Sequence, residues 1–357
     1  MAPQAVVDAT EAPLAYPTRQ SLVQLEPGRN PPVSSTMARG KSVAKEKFGG
    51  HMAKLKTTTY PSHPVPRSYP TPIRALAWSP LGNLIATGQN RELKVWNPEK
   101  NDAKSVIDLR GHTNGIEALA WNPTMEAELA STGADGTVRF WDVRSRKETA
   151  QIKLGGDGLY VSWRPTGHEL VVGRRDDALL AIDRRTNTIS NTWKQGVQTN
   201  QITFSHSGEE MLLTTGDGTV KIVDYPAMKT LYTINGHTSA CSSLDLSPVG
   251  SYLAIGASDA LISLWDTRHF FCYRTLPNIT GDVKSVSFSF DGSYIVGGSD
   301  EGTTLEIAHA ETGEYVHRIE GVSGARSVQW HPKRYALAYG TESPFNCLKI
   351  VGAIEGL

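Results

Sequence analysis

The chain lacks the features that would tie it to a disulfide framework, a bilayer or a polyanion. Its 357 residues include three cysteines, Cys241, Cys272 and Cys347, no two of them close in sequence. That spacing argues against a disulfide scaffold and a cysteine-based zinc site alike, and fits a reducing compartment. No stretch approaches the roughly 18 apolar residues of a membrane helix. Lys+Arg and Asp+Glu number 36 each, so the net charge is +0 and no global attraction to nucleic acid or membrane is expected. The first 15 residues carry Asp8 and Glu11 and lack a basic start followed by an apolar run, so no secretory signal is expected. Without one, the sequon Asn278-Ile279-Thr280 is incidental.

What the chain does have is a period. Trp78, Trp121, Trp163, Phe204, Leu246, Phe288 and Trp330 follow one another at intervals of 43, 42, 41, 42, 42 and 42 residues, most of them just before a Pro or Ser and a turn. Each unit contains short runs in which apolar and small or polar residues alternate, which reads as strands. A period in the low forties with strands inside each unit marks a ring of four-stranded blades, an all-β propeller. The second unit is the clearest. It runs from Gly111-His112 through Ile116 to Trp121, Leu129 to Thr132 and the turn pair Asp135-Gly136 to Trp141-Asp142. The fifth repeats it with Gly236-His237, Cys241 to Leu246 and Trp265-Asp266. The Gly-His and Trp-Asp pairs resemble WD40 repeats. The other five units are degenerate, ending for example in Ile182-Asp183 and Val223-Asp224.

The expected fold is a seven-bladed WD40 β-propeller over residues 51–357, preceded by a tail over residues 1–50. One blade has too little core to stand alone, so the ring must close. The seventh unit has room for three strands before Leu357, and the Thr-rich segment near residues 55–60 is the expected donor of its fourth. Residues 1–36 are rich in proline and poor in large apolar groups, the composition of a disordered tail. From Arg39 to Lys56 the charge turns positive, with Arg39, Lys41, Lys45, Lys47, Lys54 and Lys56 against Glu46 alone. Such an arm is either a solvated linker or a contact for phosphates or an acidic partner.

The motifs that resemble catalytic or phosphate-binding sites read as structural elements. Arg39-Gly40-Lys41-Ser42 ends like a phosphate-binding loop but has Ser35 where the first glycine belongs, and no strand precedes it. In WD40 repeats a His, an Asp, a Ser or Thr and a Trp form a buried hydrogen-bond network. His112, Ser131 or Thr132, Asp135 and Trp141 fit those roles in blade two. His237, Asp259 and Trp265 fit them in blade five, where Ile255 replaces the serine and an incomplete network is expected. Catalytic, metal and cofactor residues are therefore put at none. His331 is expected to be exposed in a turn.

In a propeller the loops joining strands a to b and c to d share one end of the disc. That end collects Lys100, Arg144, Arg146, Lys147, Arg184, Arg185, Arg268, His269, Lys333 and Arg334, whereas the b–c turns at the other end carry Asp135, Asp217, Asp259, Asp300 and Glu301. A basic and an acidic face are one reading; ordinary charged turns are the other. Phe270 and Phe271, adjacent in a loop, cannot both point inward, so one is a candidate partner anchor. Lys41, Lys45 and Lys47 of the arm complete the candidate partner or RNA contacts.

Several stretches resemble a narrower family, the third, WD-repeat subunit of the fungal-like THO complex. They are Leu244 to Pro248 followed by Ala257 to Asp266, Val286 to Gly292, Trp330-His331-Pro332-Lys333-Arg334, and Gly216 to Ile222 with Tyr225-Pro226. The resemblance runs over about residues 70 to 352 and includes degenerate blades. It implies a nuclear, non-catalytic scaffold docked on large α-helical THO subunits. The assembly recruits a DEAD-box RNA helicase and an RNA-export adaptor, and RNA contact by this subunit is weak and sequence-tolerant. The alternative comes from Trp141-Asp142-Val143-Arg144 and Trp265-Asp266-Thr267-Arg268, Trp-Asp-x-Arg motifs that resemble those of cullin-type ubiquitin ligase substrate receptors.

Overall fold

Every one of the seven periodic residues ends the innermost strand of a four-stranded antiparallel sheet, and the seven sheets form a propeller. The computed structural model describes residues 41–61, 72–100, 106–341 and 347–352. The expectations for the tail through residue 40 and for the loop at Glu342 to Pro344 fall outside these residues. Blade two shows the pattern, with strand a at Ile116–Trp121, b at Glu128–Gly133, c at Thr137–Asp142 and d at Lys147–Lys153. Strands b and c are buried along their length or nearly so, while d is largely exposed, as its place at the outer edge of the blade requires. Strand a from all seven blades lines an axial channel of about 560 Å³.

The strand a residues also explain the period. The indole Nε1 of Trp121 donates to the Ala77 carbonyl at 2.9 Å, that of Trp163 to Ala120 at 3.0 Å, and that of Trp78 to Gln329 at 3.2 Å. Each bond reaches the preceding blade, one residue before that blade's own periodic position. Where the periodic residue is Phe288, its backbone N–H donates instead to Asp245 Oδ2 at 2.8 Å, and the Trp330 N–H donates to Ser287 Oγ at 3.0 Å. A repeat of about 42 residues is thus also a repeat of blade-to-blade hydrogen bonds.

Closure uses both ends of the chain. Thr57–Pro61 pairs antiparallel with Cys347–Val351 and becomes strand d of blade seven, beside Leu337–Gly340 and Val328–Trp330. The pairing runs from Thr57 opposite Val351 to Pro61 opposite Cys347. It supplies partners to backbone groups that would otherwise form an open edge. The Trp78 N–H also donates to Gln329 Oε1 at 2.8 Å, stitching blade one to blade seven along the channel.

The end of the basic arm, expected as a solvated linker or a partner contact, instead packs on the ring. Lys45–Met52 is a helix that packs on blade six's outer strand, Tyr315–Glu320. Its propensity is poor, with no side-chain N-cap and two glycines, so tertiary contact must hold it. Phe48 and Met52, four residues apart on one face, are fully buried. Phe48 stacks on Tyr294 with centroids 3.5 Å apart and meets Tyr335 edge-on at 5.2 Å. Gly49 permits this approach, since a Cβ there would lie 2.7 Å from the Val316 carbonyl oxygen. Ahead of the helix, Tyr294 donates its hydroxyl to the Val43 carbonyl at 2.7 Å, and the Val43 N–H reaches Tyr335 Oη at 3.2 Å.

Two stability tests follow from this clasp. Phe48→Ala is expected to cost roughly 3–5 kcal/mol, as for other buried aromatics, read by denaturant unfolding; no change beyond error would contradict the packing. Removal of residues 1–35 should leave the melting temperature unchanged, whereas removal through Tyr60 takes away helix and closing strand together. Equal melting temperatures for the two truncations would remove the closure argument.

Candidate functional site

The polar set of blade two has the residues and distances of a serine hydrolase triad, and its burial decides against that chemistry. His112 Nδ1 lies 2.8 Å from Asp135 Oδ2, and His112 Nε2 lies 2.7 Å from Ser131 Oγ. Trp141 Nε1 donates to the same Ser131 Oγ at 2.8 Å. Asp135 also accepts from the Thr137 hydroxyl at 2.7 Å and from the Thr113 N–H at 3.1 Å. These partners fix a neutral imidazole, with Nδ1–H donating to Asp135 and Nε2 accepting from Ser131. Burial holds His112 below its usual pKa, outweighing the Asp135 charge. Asp135 also stays below the usual carboxylate range: burial would raise it, but the Thr137 hydroxyl and His112 outweigh that. Ser131 is fully buried, so no substrate can meet its hydroxyl. The set satisfies polar groups that would each cost about 1–3 kcal/mol if left unpaired.

Blade five corrects an expectation. Its network is complete: His237 Nδ1 lies 2.9 Å from Asp259, His237 Nε2 lies 2.7 Å from Ser263 Oγ, and Trp265 Nε1 donates to Ser263 Oγ at 2.8 Å. Ser263 sits on strand c directly opposite Ile255 in the ladder. The hydroxyl has crossed to the partner strand and still reaches the same two groups.

His331 is the second correction. It is buried at the blade seven to blade one seam, against Trp78 with centroids 4.8 Å apart. Its Nε2–H donates to the Gly82 carbonyl at 2.9 Å, and its Nδ1 accepts from the Lys333 N–H at 3.0 Å. Gly82, at φ +77°, leaves the space, because a Cβ there would lie 2.2 Å from the imidazole. Burial first, with the charges of Arg334 and Lys333 adding, pushes the His331 pKa down to about 3.

The basic candidates divide. Arg144, Arg146, Lys147, Arg185 and Arg268 are exposed, although Arg144 lies 3.4 Å from Glu126 and Arg185 lies 2.9 Å from Asp183. Arg184 is half-buried, bonds Glu128 at 2.8 Å and lies 4.6 Å above the Phe140 ring, so it packs blades together rather than facing a partner. Lys333 and Arg334 are half-buried. In the arm, Lys41 and Lys47 are exposed while Lys45 is paired with Glu314. Phe270 is not an outward anchor: it is buried and stacks on Tyr232 at 4.9 Å, which leaves Phe271, 53% exposed.

At the opposite end the acids are largely committed. Asp135 and Asp259 hold histidines, Asp217 accepts from Thr215 and Thr219, and Asp300 lies 3.3 Å from Arg326. Four of the five acids are thus engaged within the fold, and Glu301 alone of the five is exposed without a side-chain partner among the described residues.

Comparison with known proteins places these features. The family model for the WD domain, G-beta repeat, matches residues 55–97, 103–142, 228–266 and 270–304. In fold, the chain is similar to the Cps50 (Swd1) β-propeller domain of Myceliophteria thermophila, with a TM-score of 0.70 at 20% identity, over 83% of this chain and 99% of that one. The chain is a WD40-repeat β-propeller protein. It is 34% identical over 270 residues to THO complex subunit 3 of Arabidopsis thaliana, covering 75% of this chain and 85% of that protein. It is also 34% identical over 294 residues to the WD repeat-containing protein AAC3 of Dictyostelium discoideum, covering 75% of this chain and 61% of that one. The chain belongs to the family of THO complex subunit 3.

Trp141→Ala is expected to destabilise the fold by roughly 3–5 kcal/mol; an unchanged unfolding midpoint would refute the placement of strand c. His331 gives a pH test. Its folded pKa lies below the unfolded value of about 6.5, so its contribution is full above that value and is lost as pH falls toward 3. His331→Gln should flatten the loss of melting temperature between pH about 6.5 and 3, and a profile parallel to the wild type would contradict the burial.

Proposed function

We propose that this chain is a non-catalytic scaffold subunit of the THO complex, acting in the nucleus where transcription is coupled to mRNA processing and export. The observation that carries the reading is the likeness to THO complex subunit 3 over most of both proteins. The physical form suits the role. A closed ring holds its loops in fixed positions, so little ordering entropy is lost when a partner docks. In this reading the large α-helical THO subunits are the direct partners, and the DEAD-box helicase and the export adaptor join through them. Chemistry on ATP belongs to the helicase. RNA contact is secondary: Lys45 and the Arg184 guanidinium are already engaged within the fold, leaving a thinner basic surface than the sequence suggested.

The ubiquitin-ligase reading keeps one observation in its favour, since Arg144 and Arg268 of the two Trp-Asp-x-Arg motifs are both exposed. One experiment separates the two. Full-length tagged chain is recovered from nuclear extract after nuclease treatment, beside an Arg144→Ala, Arg268→Ala variant, and bound proteins are identified by mass spectrometry. Stoichiometric large THO subunits on the wild-type chain are expected. A cullin adaptor in their place, lost from the variant, would overturn the proposal.

A further inference from the structure

Antiparallel meanders put the a–b and c–d connections of every blade at one end of the disc. Five large apolar side chains are exposed among the described residues, and all five lie at that end, on consecutive blades. Met125 is in the a–b turn of blade two. Ile189 and Leu231 are the second residues of strand d in blades three (Thr188–Lys194) and four (Thr230–Asn235). Val249 and Phe271 are in the a–b and c–d turns of blade five. Exposed apolar residues scattered singly need no explanation, but confinement of all of them to one end does.

Blade five presents its pair deliberately. The Thr267 hydroxyl donates to the Gly250 carbonyl at 2.6 Å and ties the two turns together. The fourth residue after each strand c terminus takes a left-handed backbone in blades two to six: Arg146, Asn187, Met228, Phe270 and Gly313. Glycine or asparagine fits that conformation at little cost, whereas a bulky residue is strained there. In blade five it is Phe270, at φ +51°, whose ring is buried on Tyr232. The next residue is thereby turned outward, and that residue is Phe271.

Charge at the same end is unbalanced. In the a–b and c–d connections of blades two to five the exposed cations are Arg144, Arg146, Arg185, Lys229 and Arg268, against Glu126 and Glu209 as exposed acids. Arg146, Lys229 and Arg268 have no ion-pair partner among the described residues. At the other end Arg74 pairs with Glu117, Lys284 with Asp282 and Arg326 with Asp300. Pairing is the commoner state at that end, although Arg91 and Lys153 are exposed there without an ion-pair partner among the described residues. What distinguishes the a–b/c–d end is an excess of exposed cations beside the exposed apolar side chains.

We infer that the a–b/c–d end of blades two to five is a docking surface for a protein segment bearing apolar anchors flanked by carboxylates. The inference rests on the scaffold reading above, because it takes that segment to belong to a large THO subunit. Apolar contacts centred on Phe271 supply burial, and the surrounding cations supply orientation and exclude basic segments. A single exposed phenyl ring offers no stacking series for single-stranded RNA.

The test compares three full-length tagged chains in the nuclease-treated nuclear capture. One is wild type, one carries Phe271→Asp with Arg268→Glu, and one carries Lys153→Glu with Lys194→Glu at the opposite end. All substituted residues are exposed, and melting curves check that each variant is folded. A Phe271→Ser chain repeats the comparison without charge reversal. The expected result is a drop of about tenfold or more in large THO subunits on the Phe271/Arg268 variant, a smaller drop on Phe271→Ser, and full capture by the Lys153/Lys194 variant. Undiminished capture by the Phe271/Arg268 variant, or an equal loss from the Lys153/Lys194 one, overturns the inference while leaving the scaffold reading in place. Failure of the wild-type chain to capture THO subunits removes the scaffold reading, and the inference with it.

Discussion

The hydrogen bonds that cross from one blade to the next along the channel are the constraint on which the rest of this protein depends. A four-stranded blade buries its faces only against neighbours, and strand a is where neighbours are brought into register. Three tryptophans do this through their indoles, reaching the carbonyls of Ala77, Ala120 and Gln329. Elsewhere the side chains of Asp245 and Ser287 accept backbone N–H groups instead. The ring must then join its ends. The closing strand Thr57–Pro61 does so at the rim, and Gln329 with His331 does so nearer the axis. The helix Lys45–Met52 locks the segment that delivers the closing strand.

Given a rigid ring, the polar clusters acquire a plain meaning. The Ser–His–Asp sets of blades two and five look like catalytic machinery in two dimensions and act as internal fasteners in three. Their histidines and aspartates are drawn from the b–c and d–a end, which leaves that end largely self-paired. The opposite end keeps exposed arginines and apolar side chains, and it is there that the surface has unsatisfied chemistry. In blades two and five the fastener spans from the d–a connection to the b–c turn, so the charge it engages, Asp135 or Asp259, lies at that end.

Much of this was legible in the sequence because it repeats. The seven periodic positions fixed the blade number, Trp-Asp and Gly-His marked the two regular blades, and the Thr-rich segment before blade one suggested the closing strand. What escaped was non-periodic or displaced by one step in space. Lys45–Met52 has two glycines and only two buried side chains, so neither propensity nor pattern marks it; its helix exists because Tyr294 and Tyr335 receive Phe48. His331 looked like a turn residue because its partner Gly82 is 249 residues away. Ser263 was overlooked because the hydroxyl was sought on strand b, whereas a paired strand offers an equivalent site across the ladder. The Asp245, Ser287 and Gln329 alignment was readable in principle: all three stand one residue before the periodic position.

The measurement that tests the central claim most directly is lysine cross-linking of the chain within its assembled, nuclease-treated complex. Lys147 and Lys229 lie at the a–b/c–d end, and Lys153, Lys194 and Lys284 at the other. The account predicts cross-links to large THO subunits through Lys147 and Lys229. Cross-links to those subunits confined to Lys153, Lys194 and Lys284 would contradict it.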